Sequence, residues 1–223
     1  MTALFYCQEG SNRFLMSIQK SQIIQTALDV LDRDGLEGVT LRRLAKELNI
    51  KAASIYWHIP SKEQLLDEMA NAILEEHFGA FDFENDQHDW VEWLDQLAHE
   101  LRAAMLRHRD GARVVAGAHP DIAIMLLKLW DLTVRILHNS GFSDSKAAAV
   151  TMTVTHFTFG SVIEEQSSPP YTANSDAALD AMQSIVQTFP TFALTMEAWQ
   201  AEDNDTHFDT SVRIIINGVR AEL

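Results

Sequence analysis

Cysteine is nearly missing from this sequence: Cys7 is the one thiol among 223 residues. A lone cysteine excludes an internal disulfide framework and a multi-cysteine zinc site. Proline, with five residues, and glycine, with nine, are also scarce. Few breakers therefore interrupt helical periodicity. No apolar run reaches the roughly eighteen residues that a membrane-spanning helix needs. The opening stretch, MTALFYCQEGSNRFLMS, lacks the basic start and sustained apolar run of a secretory signal. The expectation is a cytoplasmic protein with no membrane partner. Catalytic signatures are missing too. There is no HExxH motif, His99 and His108 are too far apart to share a helix face, and Glu164 and Glu165 diverge as helix neighbours. No positioned acid–base or nucleophile set is found, so no catalytic residue, metal site or cofactor is expected.

Positive charge is in short supply overall. Lys and Arg number 17 against 32 Asp and Glu, a net charge of -15, which argues against a generic nucleic-acid binder. The average hides an asymmetry. Between Gly38 and Lys62, five cations (Arg42, Arg43, Lys46, Lys51, Lys62) face one acid, Glu47. From Glu63 onward, nine basic residues meet 26 acidic ones. A basic island on an acidic body implies that the island meets an anion while the body repels it.

What is present in abundance is helical spacing. Ile23, Ile24, Ala27, Leu28 and Leu31 recur three or four apart, and Gly35 sits where such a helix would stop. Thr40 is placed to cap a second helix with Leu41, Leu44, Ala45 and Leu48 on its inner face. Asn49 suits the left-handed corner of a tight turn. A short helix carries Ala52 to His58, and Pro60 stops it. Ser61 and Gln64 have the spacing of a capping box that opens a helix burying Leu65, Leu66, Met69, Ile73 and Leu74. Beyond Gly79 comes an acidic connector, then helical patterns at roughly 90–108, 122–139 and 143–165. Gly111, Gly117 and Pro120 break the chain between the first two. SSPPYTANSD reads as a polar loop, and later helices are expected at roughly 177–189, 192–200 and 206–223. The fold class is all-α. Residues 1–16 read as a disordered extension, 17–78 as a helix-turn-helix DNA-binding domain, and 79–223 as a helical-bundle regulatory and dimerisation domain.

Two short helices joined by a tight turn place the second in a DNA major groove. The crowding of Tyr56, Trp57 and His58 on that helix then has a reason: they face phosphate and sugar. The segment "IIQTALDVLDRDGLEGVTLRRLAKELNIKAASIYWHIPSKEQLLDEM" resembles the DNA-binding domain of the tetracycline-repressor family. That resemblance assigns operator contacts to Arg42, Ala52, Ala53, Ser54, Tyr56, Trp57, His58 and Lys62. Tetracycline repressors carry Gln-Pro-Thr where this chain has Ala52-Ala53-Ser54. The operator should differ accordingly, with Arg42 the direct reader of guanine.

The body carries the resemblance further, in "RHRDGARVVAGAHP" and "HFTFGSVIEEQ". It implies a homodimer, packed through the helix from Ser143 and the terminal helix, and a pocket for a small-molecule effector. The stripe Phe208, Val212, Ile215, Val219 fits either such an interface or plain core packing. Two histidines that the family uses in its drug pocket correspond here to Phe78 and Val115, and valine offers a hard cation no lone pair. The expected ligand is therefore not tetracycline with magnesium. It is a small, mostly apolar or aromatic molecule bounded by Phe78, Met105 and Val115, with His156 and Glu164 as polar anchors. His156 as a core histidine and Glu164 as a surface carboxylate stay open, as does His119 as an ordinary loop residue. Trp90, Trp93, Trp130 and Trp199 are expected in the core. The function implied is a DNA-binding repressor released by its effector. A ligand-responsive activator, an enzyme built in the helical body, and an interaction module with a vestigial helix-turn-helix are the rivals.

Overall fold

The computed structural model describes residues 19–167 and 184–221. Cys7, the 1–16 extension, the SSPPYTANSD loop beyond Ser167 and the start of the helix expected over 177–189 lie outside these residues. Residues 184–188 are helical. Among the described residues no helix is long and apolar enough to cross a membrane.

Three helices and the start of a fourth build the first unit. α1 (Lys20–Asp34) buries Ile23, Ala27, Leu28, Val30 and Leu31. It stops at Gly35, whose amide returns to the Leu31 carbonyl at 2.8 Å. Gly35 has φ +76°, and a Cβ there would meet Asp110 Oδ2 at 3.0 Å. Glycine is needed both for the conformation and for that approach. A single 3-10 turn, Leu36–Gly38, leads to α2 (Leu41–Glu47). Thr40 caps α2, its hydroxyl accepting from the Arg43 amide at 3.2 Å. Asn49, at φ +52°, makes the left-handed corner into α3 (Ala52–His58). Ser61 caps α4 (Lys62–Phe78), accepting from the Gln64 amide at 3.2 Å.

α4 runs out of this unit into the body and packs on α5 (Trp90–Leu106), α6 (Gly111–Ala116) and α7 (Ile124–Asn139). α8 (Asp144–Ser167) lies across α5, α6 and α7. After α9 (Pro190–Gln200), α10 (Asn204–Arg220) packs on α5 and α8. The core threads from α1 through α4 into the body without a break. Trp93 is buried and its indole N–H donates to Thr133 Oγ1 at 3.0 Å. Trp90 and Trp130 are half-buried, whereas Trp199 is 50% exposed and does not join the core.

The fold departs from the sequence reading in the body as well. Residues 111–116 are not a mere break but helix α6, opened by Asp110 at φ +56°. Its Gly111, Ala112, Val114 and Val115 are all buried, and burial outweighs the weak helix preference of Gly and Val. Of the two readings left open for the terminal stripe, core packing holds for Phe208 and Val212, which pack inside their own subunit. Phe208 stacks on Phe157 at 5.5 Å and sits beneath the Arg102 guanidinium at 5.1 Å. Ile215 and Val219 of the stripe are half-buried, and the outward face of α10 carries Ile214, 66% exposed, and Gly218.

His99 fastens α10 to α5. Its Nε2 lies 2.7 Å from Asp209 Oδ1 and its Nδ1 lies 2.8 Å from the Asp95 carbonyl. Burial disfavours the charged ring, yet Asp209 and Asp95 outweigh it and hold the pKa above its ordinary value. A raised histidine pKa stabilises the fold fully below about pH 6.5, and that stabilisation is lost as pH rises through the folded value. His99→Gln is therefore expected to flatten the fall in melting temperature between about pH 6 and about pH 8. The contribution is at most about 1 kcal/mol, because solvent screens a ring this exposed. An unchanged pH profile in the variant rejects the assignment.

Candidate nucleic-acid interface and effector region

α3 is rooted by few residues. Ile55 is fully buried within it and Ile59 just past its end. Ala53 and Ser54 are exposed, and Ala52 and His58 are half-buried. Tyr56 is 48% exposed and Trp57 80%. Burying an aromatic ring of this size is worth roughly 2–3 kcal/mol. Both rings are left largely in water on this helix. Trp57 sets its edge against His58, ring centroids 4.6 Å apart.

The neighbouring arginines do different work. Arg43 bonds Glu47 Oε1 at 2.8 Å and Asp34 Oδ2 at 3.1 Å. Arg33 bonds the same two carboxylates, at 2.9 and 3.1 Å. This four-residue ring holds the Glu47 carboxyl below its ordinary pKa, through the Arg43 hydrogen bond first, and raises that of Arg33, through Asp34 first. It also locks α2 to the end of α1. Arg42, exposed one position earlier, makes no side-chain hydrogen bond or ion pair among the described residues, and the same holds for Lys46 and Lys51. Lys62 is half-buried at the start of α4, beside Glu63. All eight sequence-predicted DNA contacts thus lie on α2, α3 or the first turn of α4, and none is fully buried.

The predicted effector residues divide. Phe78, Met105 and Val115 are fully buried in one core where α4, α5 and α6 meet. His156 and Glu164 are exposed on α8. The reason is helical phase. Thr151, Val154, Thr155, Thr158 and Val162 take the inner face, so His156 and Glu164 point elsewhere. The structure does not bring them to the buried trio within this chain. An apolar groove of about 650 Å³ lies instead along 185–200, lined by Ile185, Val186, Pro190, Phe192, Leu194 and Met196 among others.

Several working residues escaped the sequence reading. Gln166 donates to the His108 carbonyl at 2.8 Å and accepts from the Ala112 amide at 3.1 Å, closing the α5–α6 corner. At that corner His108 is wedged between Asp32 of α1, at 3.1 Å, and Glu76 of α4, at 3.2 Å. Asp110 accepts from the Leu36 amide at 2.8 Å. Three carboxylates thereby bind the two units together. Their only sequence signal was the run of His, Arg and Asp at 107–110. His119 is more than a plain loop residue, for both its ring and its amide reach Asp67 of α4.

Known proteins now bear on this arrangement. Residues 23–69 match the model for bacterial regulatory proteins of the tetR family, and residues 84–223 match the tetracyclin repressor-like C-terminal domain. The chain belongs to the TetR family. The tetracycline repressor protein class A from transposon 1721, of Escherichia coli, is 34% identical over 92% of this chain and 92% of its own. A solved TetR structure, the Streptomyces coelicolor protein ActR in complex with (S)-DNPA, superposes with a TM-score of 0.74 at 26% identity. It covers 93% of this chain and 99% of its own. BioQ, solved with its double-stranded DNA operator, superposes with a TM-score of 0.61 at 27% identity, over 74% of this chain and 97% of that one. As a TetR-family regulator the chain has an N-terminal helix-turn-helix domain, α1 to α4, and a helical C-terminal domain.

Proposed function

We propose that this chain is a transcriptional repressor that binds a palindromic operator as a homodimer and leaves it when a small, mostly apolar or aromatic effector binds the body. The observation that carries the reading is the outward face of α3. Tyr56 and Trp57 stand in solvent beside three cations, Arg42, Lys46 and Lys51, that no carboxylate among the described residues has claimed. Arg42 reads a base edge, and Lys62, Tyr56, Trp57 and His58 position the helix on the backbone. The acidic body confines this attraction to one end of the molecule.

Dimerisation is supported by small outward residues on α8, Ala149, Thr153 and Gly160, and by the exposed Ile214 and Gly218 of α10, which packs on α8. Small side chains let two such helix pairs approach closely. His156 falls on the same outward face of α8, so its place in this reading is near the twofold axis. The effector reading rests on Phe78, Met105 and Val115, an apolar trio with no metal ligand. It is strengthened by the ligand complex of ActR. Effector binding tilts α4 and changes the distance between the two recognition helices. A thousandfold release needs about 4 kcal/mol of differential affinity.

Selection of bound duplexes from random DNA tests the core of this reading. The expected product is an inverted pair of half-sites with centres about one helical turn, roughly 34 Å, apart. Enrichment of single half-sites removes the dimer, and no enrichment at all removes the repressor.

A further inference from the structure

The start of α3 breaks a rule that other helices of this chain keep. Thr40 caps α2 and Ser61 caps α4, each hydroxyl accepting from an amide of the first turn. Asp89 and Asp203 do the same for α5 and α10. α3 has Lys51 at its N-cap, and no side chain accepts from its first turn. Lysine has no acceptor to offer. Its charge also stands at the positive end of a helix, where an anion is favoured and a cation is not. No nearby carboxylate in the sequence offsets it, for none occurs between Glu47 and Glu63. The exposed Lys51 side chain makes no ion pair among the described residues. Two local preferences are set aside at one position with no compensation inside the chain. Such conflicts are expected where a residue serves function rather than fold.

The backbone that carries Lys51 is held on both sides. The Ile50 amide donates to the Ala45 carbonyl at 3.0 Å, and the Asn49 amide to the Lys46 carbonyl at 3.1 Å. The Lys51 carbonyl accepts from the Ser54 amide at 2.9 Å. The side chain therefore leaves a fixed point. The residues after it are short: Ala52 and Ala53 carry only a methyl group, which has no hydrogen bond to give a base. The N-terminal residues of a recognition helix are those that meet base edges, so the long donor at this end of α3 is Lys51. The other cations of the two-helix unit are placed differently. Arg43 is held in its ring with Glu47 and Asp34. Lys46 lies in the last turn of α2, where the helix end itself favours a cation. Arg42 lies in the first turn of α2 and reaches out from a different helix.

We propose that Lys51 is a specificity-determining residue whose ammonium donates to O6 and N7 of a guanine in each half-site, at a position other than the one met by Arg42. This rests on the DNA-binding reading given above and deepens it. It makes the leading end of α3 selective in spite of its two alanines.

Selection from random duplexes is run on the wild type, Lys51→Ser, Lys51→Arg and Lys46→Ala, followed by competition gel shifts on the recovered sequences and thermal melts of each protein. The wild type is expected to fix a guanine whose replacement lowers affinity roughly fivefold to 150-fold. Lys51→Ser loses that preference, keeps the others, and melts about 1–4 °C higher, because serine restores a cap. Lys51→Arg keeps the guanine, since a guanidinium donates to the same two acceptors. Lys46→Ala keeps it as well. A Lys51→Ser protein that weakens equally on every duplex makes Lys51 a phosphate contact and overturns the proposal. So does one that selects the same sequence as the wild type. A melting temperature below that of the wild type shows that Lys51 serves the fold, and overturns it too. A wild type that enriches no duplex removes the DNA-binding reading and this proposal with it. That outcome is distinct, because a failure of Lys51 alone leaves the wild-type sequence preference standing.

Discussion

Arg42→Ala is expected to weaken binding to the selected operator by about 1–3 kcal/mol, roughly fivefold to 150-fold, and to relax the preference at one position of each half-site. The side chain is exposed on α2 and owes nothing to any carboxylate among the described residues. Its removal therefore leaves the fold unchanged. Lys62→Ala is expected to weaken binding to matched and scrambled duplexes alike, and to lower the salt slope by about one for each phosphate no longer neutralised. Arg43→Ala should behave in a third way. It breaks the ring with Glu47, Asp34 and Arg33, so it lowers the melting temperature before it alters sequence preference. Competition gel shifts and thermal melts on the three variants separate these outcomes. Equal loss of preference in Arg42→Ala and Lys62→Ala rejects the division of labour.

Phe78→Ala is expected to cost about 3–5 kcal/mol of stability, the usual range for deleting a buried aromatic ring. Phe78 is 2% exposed and meets Phe81 edge-on with ring centroids 6.1 Å apart. The core around it is built from α4, α5 and α6, which are anchored separately, so the space left by the ring is not expected to collapse fully. A small apolar aromatic such as indole should enter that space and recover part of the lost melting temperature, as ligands do for an engineered apolar cavity. Chemical denaturation gives the loss, and a melt with added indole gives the recovery. A loss under about 1 kcal/mol shows that the ring is not part of a packed core.

The first unit was largely legible because its signals are local. Thr40, Asn49 and Ser61 each act within three residues of themselves, and the structure finds them capping or turning as their chemistry dictates. α3 was legible for a related reason. A seven-residue helix with Ile55 as its one fully buried side chain leaves Tyr56 and Trp57 nowhere to go but outward. The body was less legible because its decisive contacts span the chain. Asp67 and His119 are 52 residues apart, and Gln166 and His108 are 58 apart. No window of sequence holds both partners. α6 escaped notice because its glycine and two valines disfavour a helix locally and only burial overrules them. The outward position of His156 was not legible either, because it depends on the phase of α8. Its neighbour Thr155 is buried and receives the Trp130 N–H at 3.2 Å, which turns His156 out of the chain's interior.

The shallow rooting of α3 has a consequence for how such a regulator changes over evolutionary time. Ile55 inside the helix and Ile59 beyond it carry the anchorage. The surrounding positions are exposed or half-buried and hold little stability hostage, so, with α3 as the proposed reader of the operator, substitutions there are expected to change the preferred duplex while the fold stays intact. Recognition and stability are thereby carried by different side chains in the proposed reading, and the second can be kept while the first is changed.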